Sequence, residues 1–241
     1  MLQVSLGIDV EPDCPPYLAT QYRGIEEGLP RVLDVLDELQ VRTTCFVTGE
    51  VAQRYPKRIV ELANRGHEVG CHGHSHRPFD TLDEGEARHD IQHSARMLRG
   101  LGERVMSFRA PNLRFPDRYL PLLEDAGFVV DSSQAKYKRS YYGARTPTRL
   151  RRFAASTTSS VLRLPRLIRD PWLLALSSPV VLFVHPWEFV DLRNERLRLD
   201  CRFRTGAFAL NAIREVITLF RERGANFLPI RELVAPSGRA A

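Results

Sequence analysis

The segment His72-Gly73-His74-Ser75-His76 places two imidazoles, His72 and His76, four residues apart. On a helical turn or a turn-like loop, that spacing aims both side chains to one side. Imidazole is a good ligand for divalent transition metals, zinc first and cobalt, nickel, manganese or iron after it. Two histidines make an incomplete site, so an acidic ligand has to come from elsewhere. His74 points away from the other two on such a turn and is not counted. Cys71, just before the cluster, offers a thiolate that the site does not need. The run Asp9-Val10-Glu11-Pro12-Asp13 offers carboxylates. Asp9 and Glu11 alternate along an extended chain and so share a side. One of the two then completes the metal site, and its neighbour, off the metal, removes a proton from bound water. The plainer alternative is a set of turn caps, which Pro12 favours.

Arg109 lies in Phe108-Arg109-Ala110-Pro111, at the end of an apolar run. An arginine there needs a partner, because an isolated buried charge is costly, and a carboxylate such as Asp9 would be oriented by it. His185 ends Val180-Val181-Leu182-Phe183-Val184 and precedes Pro186-Trp187-Glu188. It either bonds within the core or donates a proton to a leaving amine. Trp187 offers a flat wall for a sugar ring, or an ordinary core side chain.

These residues need elements that bring them together. Strand patterns fall at residues 4–10, 42–49, 67–72, 105–111, 129–133, 179–189 and 226–230, rich in β-branched and aromatic side chains. Helical periodicity falls at residues 28–40, 56–63, 85–101, 117–128 and 208–224. Alternating strands and helices predict a parallel sheet with helices outside. Six or seven units favour a closed or nearly closed barrel, an α/β fold with Asp9, His72, Arg109 and His185 each at the C-terminal end of a strand. Barrel active sites are built on that rim. Residues 136–178 read as an irregular basic insertion in a single domain spanning 1–241.

The chain has 241 residues, 43% apolar and 27% charged, an ordinary globular balance. No apolar run reaches the length of a membrane-spanning helix. The start, MLQVSLGIDVEPD, reads as a first strand and not as an export signal, which places the chain in the cytoplasm. Four cysteines without CxxC spacing read as reduced thiols. The net charge of +6 is concentrated at Lys136, Lys138, Arg139, Arg145, Arg149, Arg151 and Arg152, followed by Arg163, Arg166 and Arg169. This is either a solvated basic loop or a surface for phosphates, on an anionic lipid at the membrane periphery or on a phosphate-linked carrier. No motif points to nucleic acid.

Four blocks in order, IDVEPD, CHGHSH, FRAP and LFVHPWEF, resemble the motifs of the polysaccharide deacetylases of NodB homology, carbohydrate esterase family 4. The resemblance covers about residues 2 to 235. It implies a distorted (β/α)7-type barrel and a metal held by one acid and two histidines, with a water that attacks an N-acyl carbonyl. Carried over, Asp9 is the general base, and Glu11, His72 and His76 bind the metal. Arg109 orients Asp9, and His185 is the general acid. Pro111 and Trp187 are the candidate substrate-binding residues. The first motif departs from the usual pair of adjacent aspartates: Val10 stands in the second place and Glu11 follows, with Asp13 as the fallback ligand. The motif with a core tryptophan is absent, and Asp131-Ser132-Ser133 stands in its place. The block IDVE with GIEEGLPRVLDVL is similar to the branch that deformylates an aminoarabinose on a lipid-phosphate carrier, which implies a lipid- or nucleotide-linked sugar. Two rival expectations stand beside this one: an amidohydrolase of a non-sugar amide or ureide, and a non-catalytic carbohydrate-binding barrel.

Overall fold

The structure, a computed structural model, describes residues 1–139 and 146–233. Its frame is a parallel sheet curled into a distorted barrel, with strands β1 (Gln3–Val10), β2 (Thr44–Val47), β3 (Glu68–Cys71), β4 (Ser107–Phe108), β5 (Val130–Asp131), β6 (Arg151–Arg152), β7 (Val180–Val184) and β8 (Asn226–Phe227). The order is β6-β5-β4-β3-β2-β1-β7, and β8 pairs with the start of β1. The two ends of the sheet meet at Ser156. Its N–H donates to Val181 O (2.8 Å), and its hydroxyl accepts from Val181 N–H (3.0 Å).

The helices are α1 (Leu29–Glu38), α2 (Gly49–Arg54), α3 (Pro56–Asn64), α4 (Glu84–Gly100), α5 (Leu120–Asp125), α6 (Ser159–Leu162), α7 (Arg166–Leu174), α8 (Leu199–Arg202) and α9 (Ala207–Glu222). A π-helical turn, Gly24–Gly28, leads into α1. Helix α4 starts on a reciprocal cap: Asp83 accepts from Glu86 N–H (2.8 Å), and Glu86 accepts from Asp83 N–H (3.1 Å).

The period of two in β1 sorts its residues. Val4, Leu6, Ile8 and Val10 join the main apolar cluster between sheet and helices. The alternate positions, Ser5, Gly7, Asp9 and then Glu11, face the barrel interior. Gly7 is needed there: a Cβ would lie 2.5 Å from Arg109 Nη1, which crosses the interior. A second cluster, Phe46, Val130, Phe153, Val181, Ile230 and Leu233, fills the interior. The lower end is sealed by the buried Glu68, which accepts from Thr44 (2.9 Å), Ser107 (2.6 Å) and the Arg231 N–H (3.2 Å).

Register sets the rim. Val10 pairs with Val47, Val47 with Cys71, Cys71 with Phe108, and Phe108 with Asp131. On the other side, Ile8 pairs with Val184. The residues that follow these strand ends are Glu11, Thr48, His72, Arg109, Ser132 and His185. Glu11, Thr48, His72, Arg109 and Ser132 therefore stand at one level, and His185 stands level with Asp9, two residues lower on β1.

The described residues of the segment 136–178, namely 136–139 and 146–178, are not an irregular insertion. They supply β6, the closing contact at Ser156, and helices α6 and α7. The sequence hides this because β6 is two residues long and reads as a basic pair, Arg151-Arg152. Nor is the segment mainly a free basic surface. Arg152 pairs with Asp117 and Asp131 (both 2.9 Å), Arg169 with Asp170 (2.8 Å) and Glu215 (2.9 Å), and Arg163 with Glu188 (2.8 Å). Arg151 donates to the carbonyls of Leu233 and Arg231, and Lys138 to those of Asn112 and Leu113. Arg145 lies outside the described residues.

Candidate metal and catalytic centre

Glu11, His72 and His76 each offer one ligand atom, and these atoms lie within 4.8 Å of one another. Glu11 Oε2 is 2.6 Å from His76 Nε2 and 3.3 Å from His72 Nε2. His72 follows β3, and its Nδ1 is 2.7 Å from the Arg109 carbonyl. A carbonyl only accepts, so Nδ1 carries the proton and Nε2 faces Glu11 with a free lone pair. That Nε2 is buried and has no aligned hydrogen-bond partner. Burial alone raises the Glu11 carboxyl, but the charges of His76 and His185 hold it well below the usual range. Burial lowers the His76 imidazole, and Glu11 more than offsets this to leave it raised. A buried carboxylate facing two imidazole nitrogens, one of them orphaned, is a donor set that suits a zinc-like ion.

The loop between the two histidines is not helical. His76 has a φ of 53°, and Gly73 one of 72°. Asp90, on α4, holds the loop: its carboxylate accepts from His74 N–H (2.7 Å), Ser75 N–H (3.5 Å) and the Ser75 hydroxyl (3.4 Å). The His74 ring turns away toward His93, with centroids 4.5 Å apart. Nothing in the residues around Asp90 signals this role, which depends on how α4 packs against the loop.

Asp9 and Arg109 meet as the sequence predicts. Arg109 Nη1 lies 2.7 Å from Asp9 Oδ1, and Nη2 donates to Ser132 Oγ (3.0 Å). The guanidinium is fully buried and rests 4.2 Å from the centroid of Phe46. The Ser132 hydroxyl donates in turn to Phe153 O (2.9 Å), and Ser133 Oγ accepts from Ala110 N–H (2.9 Å). The block Asp131-Ser132-Ser133 is thus a scaffold for the Arg109 strand end.

His185 stands on the opposite wall. Its Nδ1 is 2.7 Å from Glu188 Oε1, and its Nε2 is 3.9 Å from Glu11 Oε1. Burial lowers the imidazole, but Glu11 and then Glu188 carry it up to about 9. Glu188 is itself held by Arg163 at 2.8 Å, on a side chain that also donates to the carbonyls of Asp200 (2.7 Å), Cys201 (3.4 Å) and Phe203. Sequence reasoning did not assign Glu188 or Arg163. The signal for Glu188 was local, a carboxylate three residues after His185. Arg163 carried no such signal.

Asp9, Glu11, His72, His76 and His185 all line one cavity of about 350 Å³, with Tyr17, Asn112, Tyr137, Ser160, Arg198 and Asp200 among its other walls. Three expectations need correction. Asp13 is no ligand: its carboxylate accepts from Arg23 N–H (2.9 Å) and Gly24 N–H (2.8 Å) and anchors the π-helical turn. Pro111 is buried outside the cavity lining, and the next two residues, Asn112 and Leu113, line it, both with positive φ. Trp187 lines the cavity but is not an open platform. It is only 5% exposed, stacks on His185 at 4.7 Å, and donates from Nε1 to Glu11 Oε1 (3.2 Å).

A sequence profile described as polysaccharide deacetylase matches residues 10–130. A peptidoglycan-N-acetylglucosamine deacetylase of Bacillus cereus is 33% identical over 85 residues, 35% of this chain and 31% of that protein. The aligned stretch spans about a third of the length of the curated relatives it matches first. Among solved structures, a family 4 carbohydrate esterase from Streptomyces lividans has a TM-score of 0.66 at 16% identity, over 98% of both chains. A carbohydrate esterase family 4 pseudoenzyme from Bacillus anthracis has a TM-score of 0.66 at 19% identity, over 96% of this chain and 64% of that one.

Proposed function

The chain belongs to the polysaccharide deacetylase family, of NodB homology and carbohydrate esterase family 4, and we propose that it is a metal-dependent hydrolase that removes an N-acyl group, acetyl or formyl, from an amino sugar. One observation carries this reading: Glu11, His72 and His76 converge in a cavity that Asp9 and His185 also line. The orphaned His72 Nε2 and the chemistry of the donor set fit a divalent transition ion, zinc before the others, held by these three side chains. Bound there, the ion would supply Lewis acidity toward the amide oxygen and a lowered pKa for water.

The protein's own residues do the rest. Asp9 takes the proton of the attacking water, with one oxygen fixed by Arg109 and the other left for that proton. The water oxygen adds to the acyl carbon. His185, raised to about 9 by Glu11 and Glu188, is an imidazolium: its Nδ1–H is engaged by Glu188 and its second proton, on Nε2, faces the cavity. It protonates the nitrogen as the C–N bond breaks, releasing a free amine and a carboxylic acid. The matched relative of Bacillus cereus is a deacetylase of an N-acetylated sugar in peptidoglycan, which supports an N-acylated sugar as the substrate class.

A lipid-linked form of that sugar has an observation of its own in favour. An apolar depression of about 370 Å³, lined by Val161, Leu164, Leu199 and Phe203, shares Ser160 and Asp200 with the cavity. A chain attached to the sugar would have a dry surface to follow. The Bacillus anthracis neighbour shows that this fold also occurs in a pseudoenzyme. Here, the positions of base, ligands and acid are all filled by ionisable side chains.

The test combines metal analysis with release of acetate or formate from a panel of soluble and polyisoprenyl-phosphate-linked N-acyl sugars. Asp9→Asn is expected to keep the metal and lose turnover by about 10²–10⁴-fold. Glu11→Gln is expected to lose both. A wild-type protein that retains no transition metal and releases no acid from any member of the panel overturns the reading.

A further inference from the structure

We propose that the rim formed by α7, α8 and the start of α9 is a docking surface for an anionic lipid bilayer, which sets the mouth of the catalytic cavity at the membrane. The first observation is a helix packed inside out. The residues of α7 turned inward are Leu173, in the main apolar cluster, and an arginine, Arg169. Arg169 is 1% exposed and pairs with Asp170 (2.8 Å) and with Glu215 of α9 (2.9 Å). The residues turned to solvent are apolar: Leu167 is 91% exposed, Ile168 59% and Trp172 55%. Ile168 and Trp172 are four apart and Leu167 is beside them, so the three share one helical face. A surface helix ordinarily has the opposite arrangement.

This face is continuous with the cavity mouth. Helix α6 gives Ser159 and Ser160 to the cavity lining. After a corner at Pro165, α7 leads back toward the start of β7, so its first turn, with Leu167 and Ile168, lies at the rim. Leu164, beside that corner, lines the apolar depression of about 370 Å³ that shares Ser160 and Asp200 with the cavity. Leu199 of α8, 68% exposed, lines it too, as does Phe203. Both also line a second depression of about 300 Å³, with Arg202, Arg204 and the exposed Phe208. Single exposed apolar side chains are ordinary; a connected set beside a cavity marks an interaction site.

Charge selects the occupant. Residues 163–174 and 191–208 hold eight arginines against four acids. Asp191 holds Arg193 (2.6 Å) and Asp200 holds Arg198 (2.9 Å). Arg202 donates to a carbonyl, that of Arg193 (3.2 Å), and Arg204 rests over the Phe208 ring (5.4 Å). With the exposed Arg196, they carry positive charge that no salt bridge among the described residues offsets. Apolar side chains beside such arginines suit acyl chains lying under anionic headgroups. Trp172 has the amphipathic ring favoured at that boundary. A second copy of the chain suits the face less well, because a two-fold contact sets the same arginines against one another.

The surface deepens the deacylase reading, since a lipid-carried sugar would be met where the depression opens, but its test needs no turnover. The full-length, zinc-supplemented protein is sedimented with vesicles of phosphatidylcholine alone and of equimolar phosphatidylcholine and phosphatidylglycerol. Binding is expected to the second, and to fall as salt rises. The chain has two tryptophans, and Trp187 is buried. Trp172 emission is therefore expected to shift to the blue on anionic vesicles and to be quenched by brominated acyl chains, a signal that Trp172→Phe removes. Leu167→Asp with Ile168→Asp, both at exposed positions, is expected to keep the wild-type melting temperature and to weaken binding at least about 10-fold. Arg202→Gln and Arg204→Gln are each expected to weaken it about 5-fold. A protein that stays in solution with anionic vesicles, that binds phosphatidylcholine alone equally well, or whose binding survives the double aspartate variant overturns the proposal. A wild-type dimer that this variant splits also overturns it, because the face then belongs to a second copy. If vesicles bind as expected and no N-acyl sugar is hydrolysed, the docking surface stands and the deacylase reading falls.

Discussion

Replacing Glu188 by glutamine removes one charge and almost no volume from the second wall of the site. The carboxylate is buried and has both oxygens engaged. Oε1 accepts from His185 N–H (3.1 Å) and faces His185 Nδ1 (2.7 Å), and Oε2 faces Arg163 Nε (2.8 Å). Glutamine keeps one acceptor. If its oxygen stays with His185, its amide N–H atoms point at Arg163 Nε–H, donor against donor. If the amide flips, N–H points at His185 Nδ1, which must then become an acceptor, and the imidazolium form loses its partner. Removing one member of a buried ion pair typically costs about 3–5 kcal/mol. Arg163 still reaches three backbone carbonyls, so the lower end, about 3 kcal/mol, is expected. For catalysis, a positioned acid contributes about 10²–10⁴-fold. Glu11 remains beside His185, so a loss of about 10²-fold in kcat is expected, again the lower end. Glu188 is one of the groups that raise His185, so the alkaline fall in kcat/KM moves to lower pH. Denaturant unfolding and pH profiles of the zinc-loaded variant measure both effects. A variant with wild-type kcat and an unmoved alkaline limb would refute the acid role of His185 and its tuning by Glu188.

Three further outcomes follow from the same geometry. Trp187→Phe keeps the stacking on His185 but removes the N–H to Glu11; it is expected to weaken zinc affinity by roughly 10-fold, read by competition with a chelating dye. Asp90→Ala leaves the His74 and Ser75 N–H groups without their carboxylate. It is expected to cost about 1–3 kcal/mol in thermal unfolding and to weaken metal binding, while Asp9→Asn spares the metal. The His185 imidazole stands at about 9 in the folded state, above its ordinary 6.5, so its contribution to stability is full below pH 6.5 and is lost as pH rises through about 9. Unfolding of the metal-free protein is expected to show that loss, and His185→Gln to flatten it.

The sequence determined the chemistry-bearing blocks and their place in the fold. The alternation of strand and helix patterns gives the parallel barrel, and period two in β1 puts Asp9 and Glu11 on one face, so their residues are legible from local pattern alone. The same pattern puts His72, Arg109 and His185 at strand ends, where register then sets His72 and Arg109 level with Glu11 and His185 level with Asp9. What the sequence left open were choices that depend on partners far along the chain. Glu11 and Asp13 are both acids after one strand. Only packing shows that the backbone N–H groups of Arg23 and Gly24 engage Asp13, leaving Glu11 to face the histidines. Arg163 and Asp90 act across long separations, and residues 146–156 become part of the barrel only when β6 pairs with β5 and Ser156 reaches Val181. Periodicity records which side a residue faces. Which group it meets there is decided by the tertiary arrangement, because burial forces each charge and each backbone group to find its own partner.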